Sequence, residues 1–131
     1  MANPNIVSVT SIFGESQGFN LSNTTTTSLM VVSAEKLVKV NRITVANVDG
    51  SSAADVDLFI DGLTTAGATG ITATGADATV YLAKTVSVPA DATLVISDTP
   101  IYLMEGDILK GGASAASDLD LFISYEVLDD A

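Results

Sequence analysis

The residues best able to do chemistry in this sequence are two pairs of aspartates, Asp55 with Asp57 and Asp118 with Asp120. Each pair has the spacing that places both carboxylates on one face of a β-strand. Such a pair contributes to a Ca²⁺ site when loop carbonyls complete a shell of about six to eight oxygens. The stretch after Asp55 lacks the spacing of a calcium loop, so a solvated strand face is the competing interpretation.

The chain contains no histidine and no cysteine. Histidine is the usual general base near neutral pH and the commonest metal ligand, and thiolates form disulfides and structural zinc sites. Ser–His–Asp and Cys–His catalytic constellations are therefore excluded. A further acidic motif, Glu105-Gly106-Asp107, is typical of a hairpin turn. We predict a protein that is not an enzyme, with no catalytic residues and no cofactor.

The charge balance is strongly acidic, with 5 Lys and Arg against 16 Asp and Glu and a formal net charge of −11. Nucleic-acid binding needs a basic footprint on the phosphates, and attraction to an anionic membrane needs the same sign of charge. Neither class of partner is expected. Two explanations of the acidity stay open, namely solubility of an apolar domain and a charge-complementary protein partner.

Length and hydropathy predict one globular domain. The chain has 131 residues, of which 47% are hydrophobic and 16% charged, so it can bury a core and is not typical of disorder. No apolar run reaches the roughly 18 residues of a membrane span. Turn-bounded, β-branched or alternating segments recur at 5–13, 21–33, 37–48, 55–60, 80–88, 93–97, 101–104, 108–110 and 119–128. This pattern predicts an all-β, single-domain antiparallel β-sandwich, jelly-roll-like, with roughly eight to ten short strands.

The sequence contains one internal echo, because AADVDLFI at 53–60 resembles ASDLDLFI at 116–123. Each copy follows a Gly/Ser-rich turn and a strand, which predicts two equivalent strand–turn–strand hairpins. Alternation predicts that the aspartates face outward with Phe59 and Phe122, and that the inward residues are Val56, Leu58, Ile60, Leu119, Leu121 and Ile123. Phe59 and Phe122 would form a subunit interface if they lay on neighbouring strands. Burial under a loop is the alternative.

Two segments are candidates for contact with other proteins. Residues 1–14 are predicted to be an N-terminal strand or arm on a domain spanning 15–131, and this strand could pair with the exposed edge of a neighbouring chain. The Gly/Ala/Thr-rich segment 61–79 is long for a connection, which predicts a surface-projecting loop. Besides Phe59 and Phe122, the candidate interface residues are Asn5, Ile6, Val7, Val9, Ile12 and Phe13 in the arm and Leu63 and Ile71 in the loop.

Nearly the whole chain resembles small structural proteins of tailed bacteriophages, particularly marine, cyanophage-like ones. The segments that carry the resemblance are MANPNIVSVTSIFG, KVNRITVANVDGSSAADVDLFI, VYLAKTVSVPADATLVI and IYLMEGDILKGGASAASDLDLFISYE. The matching positions are Asn47, Asp49, Gly50, Pro89, Gly106, Asp107, Ser124 and Tyr125. The loop after Asp61 is longer than this resemblance leads us to expect.

The resemblance implies a non-enzymatic virion protein assembled in the host cytoplasm. Its expected role is a capsid decoration, or cement, protein that binds the outer head surface as a homo-oligomer, with a trimer favoured. The expected partners are the major capsid protein or other virion proteins. The alternative is a tail- or fibre-associated module for attachment to host-surface glycans. Such sites use aromatic platforms, but the chain has no Trp, and Tyr81, Tyr102 and Tyr125 are scattered.

Overall fold

A computed structural model describes residues 6–22, 27–62 and 79–129, apart from the side chain of Thr27. Within these ranges the chain forms nine strands and no helix. The strands are β1 (Ser11–Asn20), β2 (Thr27–Val31), β3 (Lys36–Asn47), β4 (Ala54–Asp61), β5 (Thr79–Val88), β6 (Thr93–Ser97), β7 (Ile101–Leu103), β8 (Ile108–Ala113) and β9 (Leu119–Asp129).

The strands form two antiparallel sheets. Sheet A has the order β1-β9-β3-β6, and sheet B has the order β2-β8-β4-β5. β6 pairs with β3 at residues 43–46 and β7 pairs with β3 at residues 38–40, so the two short strands share one position beside β3. The chain winds between the sheets in the order of a double-sheet jelly roll. The predicted all-β sandwich is confirmed.

The core lies between the sheets and is built from the inward rows that alternation predicts. Val56, Leu58, Leu119 and Ile123 have no exposed surface at all. Facing apolar sheet surfaces pack about 10 Å apart and exclude water between them. The inward rows of β4 and β9 are therefore confirmed.

The predicted hairpins are wrong, because both connections cross from one sheet to the other. Residues 48–53 lead from β3 in sheet A to β4 in sheet B, and residues 114–118 lead from β8 in sheet B to β9 in sheet A. The crossings lie side by side, since Val48 N donates to Asp118 O at 2.8 Å and Ser114 N donates to Asp55 O at 2.9 Å. Crossing lets the apolar faces of successive strands cover each other, which a flat hairpin does not allow.

The predicted strand over 5–13, closed by Gly14, is also wrong in its bounds. Residues 6–8 form a turn, and β1 begins at Ser11 and continues through Gly14 and Gly18. β1 pairs with β9 along its whole length, from Ser11 opposite Asp129 to Asn20 opposite Asp120. The extent of β1 thus follows its partner strand rather than local β-propensity.

The predicted loop over 61–79 falls largely outside the described residues, which resume at Thr79. Its two ends close the β4–β5 pair, where Thr79 lies opposite Asp61. The Thr79 hydroxyl donates to Asp61 Oδ1 at 3.0 Å.

Candidate functional site

Exposed apolar side chains gather at one end of the sandwich, which we call the open end. Its members are Ile6, Val7, Ile12, Phe13 and Val31, each between 50% and 89% exposed. At this end β1 begins, β2 ends and β9 ends. An exposed apolar group of this kind is a candidate surface for contact with another macromolecule.

Thr10 ties the segment before β1 to the domain. Thr10 donates to the Asp129 carbonyl oxygen from both its backbone N–H and its hydroxyl, each at 2.9 Å. The Asp129 carboxylate accepts from Lys36 Nζ, also at 2.9 Å. These bonds fix the start of β1 and leave Ile6 and Val7 on the surface.

A groove of about 210 Å³ enters the sandwich at the open end. Its walls come from β2, β3, β9 and the β2–β3 connection, and they consist of Met30, Val31, Val32, Ser33, Lys36, Val38, Tyr125 and Val127. Phe13 lies opposite Val127 in the β1–β9 register, so both side chains are on the same sheet face at the groove. The groove has the size and lining to accept an apolar side chain.

Tyr125 supplies a phenol hydroxyl to this groove. It is 8% exposed, and its hydroxyl donates to Glu15 Oε2 at 3.2 Å. Burial raises the pKa of Tyr125, and the negative charge of Glu15 and its hydrogen bond raise it further. The phenol therefore stays protonated at neutral pH, which suits a hydrogen-bond donor and not a general base.

The structure brings part of the predicted interface together. Ile6, Val7, Ile12 and Phe13 share the open end, and Val9 nearby is half-buried. Of the other candidates, Asn5, Leu63 and Ile71 lie outside the described residues.

Phe59 corrects the prediction that both phenylalanines are exposed, because it is only 8% exposed. Tyr81 lies opposite it on β5, with the ring centroids 4.9 Å apart, and Lys110 lies opposite it on β8. Lys84 Nζ lies 5.1 Å from the centroid of the Tyr81 ring, and Lys110 Nζ is held 2.9 Å from Asp61. Large neighbours on both adjacent strands account for the burial of Phe59.

Phe122 is 46% exposed and lies on sheet A, so it cannot form one interface patch with Phe59 on sheet B. Its cross-strand neighbours are the small residues Gly18 and Thr44. A hollow of about 360 Å³ lies beside its ring. At the rim of this hollow, Asn20 Nδ2 donates to Asp120 Oδ1 at 2.6 Å.

The four candidate calcium ligands do not converge. Asp55 and Asp57 belong to sheet B, whereas Asp118 directly precedes β9 and Asp120 lies at the start of β9 in sheet A. Asp57 instead accepts a bond from the Thr85 N–H at 2.6 Å. Within residues 6–22, 27–62 and 79–129, no group of three or more acidic residues is placed to hold a metal ion.

Two features were missed by the sequence analysis. The groove combines residues from β2, β3 and β9, which are distant in the chain and carry no shared motif. The burial of Asp107 was also missed, although a Gly-Asp turn was predicted there. Its carboxylate accepts from Met104 N–H at 2.7 Å, and burial raises its pKa despite this bond.

Comparison with known proteins adds little to this geometry. No family model matches the sequence, and no curated protein matches it. Among solved structures, the chain is similar to a protein from Bacillus endospore appendages, described as a novel family of disulfide-linked pili. The TM-score is 0.44 at 10% identity, over 92% of this chain and 90% of that one. This likeness carries no argument about function, and the present chain has no cysteine.

The described strands and connections include no helix that is long and apolar enough to cross a membrane.

Proposed function

We propose that this chain is a non-enzymatic structural protein of a tailed-bacteriophage virion, and that it decorates the outer capsid surface as a cement protein. The observation that carries the proposal is the open end, where five exposed apolar side chains lie at the end of the sandwich that the groove enters. The resemblance of the sequence to phage structural proteins names the class of partner, a capsid protein. A net charge of −11 keeps the protein soluble at the high concentration that many copies per particle require.

The proposed mechanism is burial of the open end against the capsid. Each apolar side chain that is fully removed from water contributes about 1.5–3 kcal/mol. Burial of Ile6, Val7 and Phe13 is therefore sufficient for a modest binding free energy per copy. Many bound copies add this binding energy over the whole shell. Because the protein binds assembled subunits in preference to dissociated ones, mass action stabilises the shell.

The test is binding of the purified chain to heads that lack it, comparing Ile6→Asp with Val48→Asp. Both residues are 54% exposed in the wild type, but Val48 lies at the other end of the sandwich, beside Asp118. We expect Ile6→Asp to reduce the bound copies at least about tenfold and Val48→Asp to bind like the wild type. Equal binding by the two variants contradicts the proposal.

Deletion of residues 2–13 is a coarser form of the same test. It also removes Ser11, Ile12 and Phe13 from the ladder with β9, so loss of binding would be mixed with loss of stability. Deletion of residues 2–9 leaves β1 intact and is expected to abolish capsid binding. Copy number then separates a capsid location, with many copies per particle, from a tail location, with few.

A second candidate function, attachment to host-surface glycans, is favoured by one observation. Phe122 presents an exposed ring beside the polar pair Asn20 and Asp120. An aromatic face next to amide and carboxylate groups is a suitable platform for a sugar ring. Glycan-array binding that Phe122→Ala removes and Ile6→Asp retains would support this function over capsid decoration.

A further inference from the structure

β1 is an edge strand that lacks the usual protection. It is 10 residues long, and all of its side chains except Phe19 are exposed. Among the described strands only β9 pairs with it. Its sequence, SIFGESQGFN, has no lysine, arginine or proline and a single charge, on Glu15. Because natural sheets normally shorten, charge or bulge such edges, this strand has the features of one that pairs with another chain.

The hydrogen-bond pattern shows which backbone groups that edge presents. Leu21 N donates to Leu119 O at 2.8 Å, in the register that places Asn20 opposite Asp120. Antiparallel alternation then directs the backbone groups of odd-numbered β1 residues toward β9. The N–H and C=O groups of residues 12, 14, 16, 18 and 20 point to the free edge, so an added strand must bond to these.

We propose that the occupant of this edge is β1 of a second copy of the chain, antiparallel, about a twofold axis at Ser16. A twofold axis perpendicular to the sheet turns the same sheet face of both copies to the same side. Opposed residues are then both even-numbered or both odd-numbered. Ser16 then meets Ser16 of the second copy, Gly14 meets Gly18, and Ile12 meets Asn20. All these residues are even-numbered, in agreement with the free backbone groups.

Side chains select this register over its neighbours. With the axis at Ser16, Phe13 lies opposite Phe19 of the second copy, and Glu15 lies opposite Gln17. An axis at Glu15 would oppose two carboxylates, which is unfavourable, whereas opposed aromatic residues stabilise a strand pair. An axis at Gln17 shortens the ladder and separates Phe13 from Phe19.

Charge favours a second copy as the occupant. Each copy carries a net charge of −11, so most pairs of surfaces repel each other. β1 carries one of the 16 acidic residues and is preceded by residues without charged side chains, so two copies meet at β1 with little repulsion. Pairing would join the two A sheets into one sheet of eight strand positions, twice the path β1-β9-β3-β6.

This inference is tested apart from the proposed function, because it concerns the self-association of the purified chain, although Ile12 and Phe13 belong to both surfaces. Light scattering during gel filtration, at the highest soluble concentration, should give twice the mass of one chain. Ser16→Pro should weaken the association at least about tenfold without unfolding the domain, since it removes an N–H that faces the free edge and not β9. Ser16→Ala keeps that N–H and should remain dimeric. A monomer or a trimer for the wild type overturns the inference, because a threefold assembly contains no such axis.

The register has its own test, which does not depend on a destabilising variant. The chain has no native cysteine, so Ser16→Cys introduces a single thiol. Opposed residues in a hydrogen-bonded antiparallel pair have Cα atoms about 5.5 Å apart, within the range of a disulfide. Mild oxidation should cross-link Ser16→Cys much faster than Glu15→Cys. The reverse order, or equal rates, contradicts the axis at Ser16.

Discussion

Strands β4 and β9 carry nearly the same segment, AADVDLFI and ASDLDLFI, and place it in opposite sheets. Their inward residues behave alike, since Leu58 and Leu121 are both buried. Their outward phenylalanines do not, because Phe59 is buried and Phe122 is exposed.

The difference arises on the neighbouring strands. Phe59 lies between Tyr81 and Lys110, whereas Phe122 lies between Gly18 and Thr44. Alternation within a strand fixes which face a side chain takes. What covers that face depends on cross-strand neighbours, which the strand's own sequence does not contain.

The largest expected effect tests the inward rows. Leu58→Ala and Leu121→Ala should each lower the free energy of unfolding by about 2–5 kcal/mol, because each leaves a cavity in the core. Urea denaturation of the two variants measures this. If either variant has nearly the wild-type free energy of unfolding, the equivalence of the two inward rows is contradicted, since both side chains are almost fully buried.

Substitution of the two outward phenylalanines should change the free energy of unfolding by different amounts. Phe59→Ala should lower the free energy of unfolding by about 3 kcal/mol, because it removes a buried ring packed against Tyr81. Phe122→Ala should cost less than about 1 kcal/mol, since half of that ring is already in water. Equal losses in the same denaturation assay would contradict the role of the cross-strand neighbours.

Substitution of Asp57 and of Asp120, which hold equivalent positions in the two segments, should differ by a smaller amount in the free energy of unfolding. Asp57 accepts a hydrogen bond from the backbone N–H of Thr85 at 2.6 Å. Asp120 accepts a hydrogen bond from the side-chain amide of Asn20 at 2.6 Å.

Thr85 itself has a φ of 51°, in the left-handed region that a β-branched residue rarely adopts, and Asp57 holds it there. Asp57→Ala should therefore lower the free energy of unfolding by about 1–2 kcal/mol, because a backbone donor loses its acceptor. Asp120→Ala changes the net charge by the same amount and is the matched control, with an expected loss of about 0.5 kcal/mol. A larger loss for Asp120→Ala in thermal or urea unfolding would contradict this ranking.

Acid should weaken the ion pair beside Phe59 on the β4 side of the comparison. The Lys110 hydrogen bond, with those from Thr79 and Gly62, lowers the pKa of Asp61, and Lys110 flanks Phe59. Because the folded pKa lies below the unfolded one, this stabilisation is present above about pH 4 and is lost as the pH falls through the folded value. Asp61→Asn should therefore lower the Tm at neutral pH, and the difference from the wild type should vanish in acid.

The partner of Asp61 provides the control for this pH effect. Lys110→Met should reproduce the loss seen in Asp61→Asn, and the double variant should lose little more, since both changes break one ion pair. Additive losses would show that the two residues act separately. Gly18 and Thr44, the cross-strand neighbours of Phe122, have no titratable side chain.

The sequence by itself determined the all-β class, the approximate strand positions and the inward rows of β4 and β9. These follow from the period of two along a strand and from β-branched residues between turns, which are local properties. The crossing of residues 48–53 and 114–118 between the sheets, the full extent of β1 and the burial of Phe59 were decided only in the tertiary structure. Each depends on which strand lies beside another, and strand neighbours in a jelly roll are far apart in the chain. The open end and the free edge of β1 belong to this second group, because both are defined by the strands that meet there and by those that do not.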